Sequence, residues 1–211
     1  MQGEKPLIVL DGVDVTFTRG ETCAITGVSG TGKSTFLHLL AGIDIPTEGD
    51  VLFDGKSLAS VASAEKDNFL NKKIGLVFQY SYLIAELSVL ENVAIPGMIS
   101  GRSFSACKER ALQLLQEVGI AEKADSCPDS LSGGQQQRVA VARAIFNEPM
   151  FLLADEPTGN LDIQTGKKIV DLILQCCKKW SMGAIITSHD PYIAQSMDRV
   201  YELRDGLLKE I

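Results

Sequence analysis

Short apolar runs, separated by polar intervals marked with glycine, set the pattern of this chain. TCAIT (22–26), VLF (51–53), IGLVF (74–78), MFLLA (150–154), GAIIT (183–187) and VYEL (200–203) have the length and side-chain type of β-strands. Several are apolar at every position, as strands must be when both faces of a parallel sheet are covered. Helical spacing fills the intervals between them. Ser88 with Glu91, and Ser132 with Gln135, fit the capping box, in which a side chain and the backbone three residues on satisfy each other at a helix start. Strands alternating with helices predict an α/β fold around a mainly parallel sheet.

The interval from about 80 to 147 breaks the alternation. It reads as helices without a strand, with Gly119 closing the periodic run ALQLLQEV. A helical subdomain inserted into one domain spanning 1–211 is the expectation. Near the end, Asp205-Gly206 between VYELR and LLKEI predicts a hairpin turn. Phe17, the first aromatic residue, reads as a strand residue.

Chemistry enters with the first strand. TCAIT runs straight into Gly27, Val28, Ser29, Gly30, Thr31, Gly32, Lys33, Ser34 and Thr35, and then into the apolar helix FLHLLAG. This is the pattern of the phosphate-binding loop, G-x-x-x-x-G-K-[ST], in its required strand–loop–helix setting, and it predicts a P-loop NTPase fold. Glycines let backbone N–H groups converge on phosphate oxygens where a Cβ would obstruct them. Lys33 is expected to neutralise the β and γ phosphates of a nucleotide, and Ser34 to offer its hydroxyl to Mg²⁺.

Such a loop needs a carboxylate to organise its metal, and MFLLADEP supplies one. Alone, Asp155 and Glu156 read as a solvated pair at a strand end. Beside a phosphate loop, Asp155 is expected to hold Mg²⁺ and Glu156 to polarise the attacking water, because ligands of covered parallel sheets bind at the carboxyl ends of the strands.

Composition narrows the class. Hydrophobic residues at 45% and charged residues at 22% describe a chain that folds and exclude a disordered polymer. A net charge of −7 opposes nonspecific attraction to nucleic acid or anionic lipid, so no nucleic-acid partner is expected. Five cysteines form an odd set without a C-x-x-C pair, which suits a reduced cytosol. The N-terminus lacks a basic segment followed by an apolar one, and no run approaches the roughly 18 apolar residues of a membrane span. Work at a membrane would require another chain to hold this one there.

LSGGQQQR, 131–138, is the most specific string in the chain. With it the sequence resembles the ATP-binding cassette family from about residue 7 to 211. The resemblance implies a homodimer of ATPase subunits paired head to tail, in which Ser132, Gly133, Gly134 and Gln135 complete the ATP site of the partner. Gln79 matches the family glutamine that touches Mg²⁺ and water and marks entry to the helical subdomain. Asp162, in GNLD, matches the aspartate of the loop that crosses the dimer interface, and also reads as a helix N-cap. His189, after GAIIT, matches the histidine that contacts the γ-phosphate. His38 matches no family position and reads as structural. The family's adenine-stacking aromatic has no counterpart, since Met1 stands at about its place.

Within the family, GIDIPTEGDV, VFQYSYLIAELSVLENVAIPGM, ADEPTGNLD and LRDG resemble the cassettes that power lipoprotein release, with relatives in macrolide export and cell division. That resemblance implies integral membrane permease subunits as partners. It also implies a peripheral position on the cytoplasmic side of the inner membrane, reached only through those partners. A macrolide-exporter ATPase and a cell-division ATPase remain alternatives. A soluble cassette acting on DNA or ribosomes is a more distant one: no long coiled coil separates Lys33 from Ser132, and only one cassette is present.

Overall fold

The structure, a computed structural model, describes residues 7–211, with the backbone alone at 63–65. Met1, the place of the expected adenine-stacking residue, lies outside the described residues. In chain order the elements are β1 (Thr22–Thr26), α1 (Lys33–Leu40), β2 (Leu52–Phe53), β3 (Lys56–Ser57), α2 (Ser63–Lys73), β4 (Ile74–Val77), α3 (Val89–Ile99) and α4 (Phe104–Glu117). They continue with α5 (Gly133–Ala144), β5 (Phe151–Asp155), α6 (Ile163–Trp180), β6 (Gly183–Thr187), α7 (Pro191–Gln195), β7 (Arg199–Arg204) and β8 (Leu207–Glu210).

Six strands form one sheet in the order β4-β5-β6-β1-β7-β8, parallel from β4 to β7, with β8 antiparallel at the edge. Side chains one residue apart on a strand face opposite sides, and here they enter opposite cores. Ala24, Leu152, Ala154, Ala184 and Ile186 join a core with residues of α3, α4, α5 and α6. Cys23, Ile25, Leu153 and Ile185 join a second core with Phe36 and Leu37 of α1. Both faces are therefore covered, which explains the uninterrupted apolar runs. In α6, Ile169, Val170, Ile173, Cys176 and Cys177 form the buried stripe of an amphipathic helix. All five cysteines are free, and burial pushes the thiols of Cys23 and Cys176 up to about 11 and that of Cys177 up to about 12.

Three expectations need correction. Phe17 is not in a strand; its ring packs edge-on against Tyr201 at 5.8 Å and tilts against Phe36, so its apolar character serves the second core. The VLF run does not join the main sheet. Leu52 and Phe53 pair antiparallel with Lys56 and Ser57 across a tight turn, because Asp54 and Gly55 both take positive φ. The strand IGLV ends at Val77, so Gln79 lies just beyond it. Asp205 and Gly206 do form the hairpin between β7 and β8, with φ of 51° and 78°.

Between 80 and 147 the regular elements are all helical: α3, α4 and α5 with short 3₁₀ turns at 121–123 and 128–130. Ser88–Glu91 and Ser132–Gln135 both close as capping boxes, at the starts of α3 and α5. The far end of α5 returns to the sheet, where a Cβ on Gly75 would lie 2.4 Å from the carbonyl oxygen of Ala144. That contact leaves no room for a methyl group. Gly75→Ala is expected to cost about 1–3 kcal/mol through displacement of α5; a thermal melt matching the parent would show that the helix yields freely.

Candidate functional site

β1 delivers the phosphate loop to the carboxyl edge of the sheet. Gly27 takes φ of 148°, and a Cβ there would meet the carbonyl oxygen of Leu203 at 2.6 Å, so only glycine lets the chain turn so close to β7. Val28, Ser29 and Gly30 are exposed on the crest of the loop, and Thr31 closes it by donating to the Val28 carbonyl at 3.0 Å. Gly32, at φ of 98°, is the N-cap of α1 and supplies no side chain to cap it. The first-turn N–H groups of Lys33, Ser34 and Thr35 therefore have no side-chain cap, and the helix dipole favours negative charge beside them. Lys33 is only 5% exposed; its Nζ donates to the carbonyls of Gly27 at 2.9 Å and Val28 at 3.1 Å.

The same ammonium lies 3.6 Å from Oε1 of Glu156, whose other oxygen lies 3.3 Å from His189 Nδ1. Four strands in succession, β4-β5-β6-β1, bring these groups to one edge. Asp155, last in β5, is in register with Thr187, last in β6. The Thr187 hydroxyl donates to Asp155 Oδ1 at 2.6 Å, and the Glu156 N–H donates to both the hydroxyl and the carbonyl of Thr187, at 2.9 and 3.1 Å. Glu156 stands at φ of 42°, the left-handed region where a side chain is strained. His189 is 70% exposed and free to meet a ligand on its outer side. Ser34 hydroxyl, Asp155 carboxylate and the Gln79 amide oxygen are hard oxygen donors of the kind Mg²⁺ takes, and with the uncapped helix start they fit a metal-bound polyphosphate.

Gln79 leans on the loop at 159–162. Its amide donates to Asn160 Oδ1 at 3.1 Å, Asn160 donates back to the Gln79 carbonyl at 3.4 Å, and a Cβ on Gly159 would lie 2.7 Å from Gln79 Nε2. Asp162 is the N-cap of α6, accepting from the Thr165 N–H at 3.0 Å, and hydrogen bonding from Thr165 holds its carboxyl below the usual range. His38 lies with Nδ1 3.7 Å from Asp44 Oδ2 and its ring edge-on to Phe78 at 6.3 Å.

The LSGGQ segment goes elsewhere. Ser132 caps Gln135, Gly133 packs near Leu161, and a Cβ on Gly134 would meet Thr165 at 2.5 Å. Among the described residues no hydrogen bond or ion pair joins 132–135 to 27–35. Its helix is instead tethered to the segment after β4. Gln137, 3% exposed, donates to the Phe78 carbonyl at 2.8 Å, and Arg143 donates to the carbonyls of Ser81 and Tyr82 at 2.6 and 2.7 Å. A cleft of about 360 Å³ opens between them, lined by Gln79, Tyr82, Gln136, Asn160 and Leu161.

The ABC transporter family model matches residues 10–159, from before the phosphate loop to the loop after the acidic pair. The chain belongs to the ABC transporter family. It is an ABC ATPase cassette homologous to LolD, which relatives at comparable identity share as a name. The lipoprotein-releasing system ATP-binding protein LolD of Xanthomonas oryzae pv. oryzae is 42% identical over 210 residues, covering 100% of this chain and 86% of its own. LolD of Shewanella frigidimarina is 41% identical over 209 residues, covering 99% and 87%. Among solved structures, a dimeric bacterial ABC transporter cassette, MJ0796, superposes with a TM-score of 0.90 at 38% identity, covering 100% of this chain and 93% of that one. A dimeric post-hydrolysis state of MJ0796 bound to ADP and Pi gives 0.89 at 36%, with the same coverage. Among the described residues, no helix is long and apolar enough to cross a membrane.

Sequence reasoning on this ABC cassette does not single out Thr187, Asn160, Gln137 or Arg143. Thr187 is a lone polar residue ending an apolar strand, which is a usable signal; Gln137 is hidden in a run of three glutamines. Loss of its bond leaves the Phe78 carbonyl without that donor. Gln137→Leu is expected to lower stability by about 1–3 kcal/mol, read from the urea midpoint; no change in midpoint would show that Phe78 does not depend on it.

Proposed function

We propose that two copies of this chain clamp Mg-ATP head to tail and hydrolyse it, driving a separate membrane permease that releases lipoproteins from the inner membrane. One observation carries the hydrolytic part: the Glu156 carboxylate sits between the Lys33 ammonium and the His189 imidazole, at 3.6 and 3.3 Å, on the edge that Asp155 and the phosphate loop share. Lys33 and the uncapped start of α1 would hold the β and γ phosphates. Ser34, Asp155 and Gln79 would hold Mg²⁺, which when bound supplies charge neutralisation and a fixed orientation for the phosphates. Glu156 would orient and polarise the attacking water, with His189 steadying Glu156 on one side and meeting the γ-phosphate on the other.

Among the described residues Ser132, Gly133, Gly134 and Gln135 make no hydrogen bond or ion pair to their own phosphate loop, which supports their acting on the site of a second copy. A two-fold axis would make two equal sites, and Asp162, beside Leu161 and Ile163, would lie where the copies meet. Lipoprotein release and the permease partners are supported by 42% identity to LolD along the whole chain. Attachment through those partners would place the cassette at the cytoplasmic face of the inner membrane.

Glu156→Gln is expected to lower turnover by about 10²- to 10⁴-fold while ATP still binds and the dimer persists in gel filtration. Normal turnover would remove Glu156 from this role. Ser132→Ala is expected to slow hydrolysis and leave nucleotide affinity of the monomer intact; unchanged dimer turnover would contradict head-to-tail pairing. The transport reaction is tested in proteoliposomes carrying this chain with its co-purified permease: ATP should release lipoprotein to a soluble acceptor, and ATP-independent release would overturn the assignment.

A further inference from the structure

Thr187 ends β6 and is fully buried, at 0% exposure. Four of the five residues of this strand are Gly183, Ala184, Ile185 and Ile186, so a valine would suit the packing equally well. A buried hydroxyl is unfavourable unless both its donor and its acceptor capacity are used. Here both are used, and by the two neighbouring acidic residues. The hydroxyl donates to Asp155 Oδ1 at 2.6 Å, within the range of charge-assisted bonds, and accepts from the Glu156 N–H at 2.9 Å.

Each bond constrains something different. The first ties one carboxylate oxygen of Asp155 to the sheet and so fixes the direction of the other. The second, with the Thr187 carbonyl at 3.1 Å, holds the Glu156 N–H at the point where the chain enters the left-handed region at φ of 42°. That backbone conformation sends the Glu156 side chain back toward Lys33 and His189. The register of β5 on β6 makes the arrangement possible by setting Asp155 directly beside Thr187.

We propose that Thr187 is a positioning residue for hydrolysis, its single hydroxyl aligning the metal-directed carboxylate of Asp155 and the water-directed carboxylate of Glu156 together. The inference rests on the roles given to those two residues under the proposed function. It predicts that removing the hydroxyl alone disturbs the metal and the chemical step and spares binding of the phosphates, which depends on Lys33 and the start of α1.

The test compares Thr187→Val, which keeps the shape and removes the hydroxyl, with Thr187→Ser, which keeps the hydroxyl; Thr187→Ala serves in place of the valine variant should that not fold. Turnover, affinity for a fluorescent ATP analogue in EDTA, the Mg²⁺ concentration that half-maximally changes that affinity, and melting temperature are measured on the full chain. Thr187→Val is expected to lower kcat by about tenfold to a hundredfold, raise the Mg²⁺ requirement several-fold, and leave EDTA affinity unchanged, with Thr187→Ser restoring both affected quantities. Wild-type kcat and Mg²⁺ dependence in the valine variant would overturn the proposal. Equal impairment of the valine and serine variants with a lowered melting temperature would also overturn it, reducing Thr187 to packing. Asp155→Asn and Glu156→Gln are run alongside. If both turn over normally, the roles of the acidic pair have failed; if both are inactive while Thr187→Val is normal, only the role of Thr187 has.

Discussion

Parallel pairing of four adjacent strands is the constraint from which the candidate site follows. Because β4, β5, β6 and β1 run in the same direction, every loop that leaves their carboxyl ends emerges on one edge of the sheet. Gln79, the acidic pair, His189 and the phosphate loop come from segments far apart in sequence, yet neighbouring strands lie only about 4.8 Å apart. A covered sheet makes that edge rigid. Apolar side chains enter cores on both faces, and the loops inherit the precision of the strands that carry them.

Charge balance at this edge is local. Lys33 is almost completely buried, and an unpaired ammonium there would be costly. Two loop carbonyls and the Glu156 carboxylate surround it. Glu156 in turn meets both Lys33 and His189, so the group proposed to direct water is held from two sides. The strained backbone at Glu156 is stabilised by two acceptors from a single residue, Thr187. Strain kept at such a point is characteristic of sites where geometry matters more than local comfort.

The helical interval is joined to this edge by polar contacts as well as by packing. Gln137 and Arg143 of α5 bond backbone carbonyls at 78, 81 and 82, and Asn160 bonds Gln79 reciprocally. The LSGGQ helix, the segment after β4 and the loop before α6 therefore share one network. A shift of α5 would be felt by Gln79 without passing through the sheet, which suits a proposed machine whose two copies open and close around nucleotide.

Local spacing alone was enough to read the phosphate-loop pattern, both capping boxes and the Asp205-Gly206 hairpin, because each depends on residues a few positions apart within one segment; the acidic pair took its meaning only from that distant loop. Local spacing served likewise for the six apolar runs, five of which become strands of the main sheet. Tertiary structure decided what those segments meet. Phe17 left the strand expected of it for an aromatic cluster with Phe36 and Tyr201, and VLF paired with its own hairpin instead of the main sheet. Thr187 acquired its partners only through the register of β5 on β6, and Gln137 found the Phe78 carbonyl only through the path of α5 across β4. Hydrogen bonds between residues tens of positions apart leave no periodic trace, since strand order and helix placement, not spacing along the chain, determine which atoms come within 3 Å.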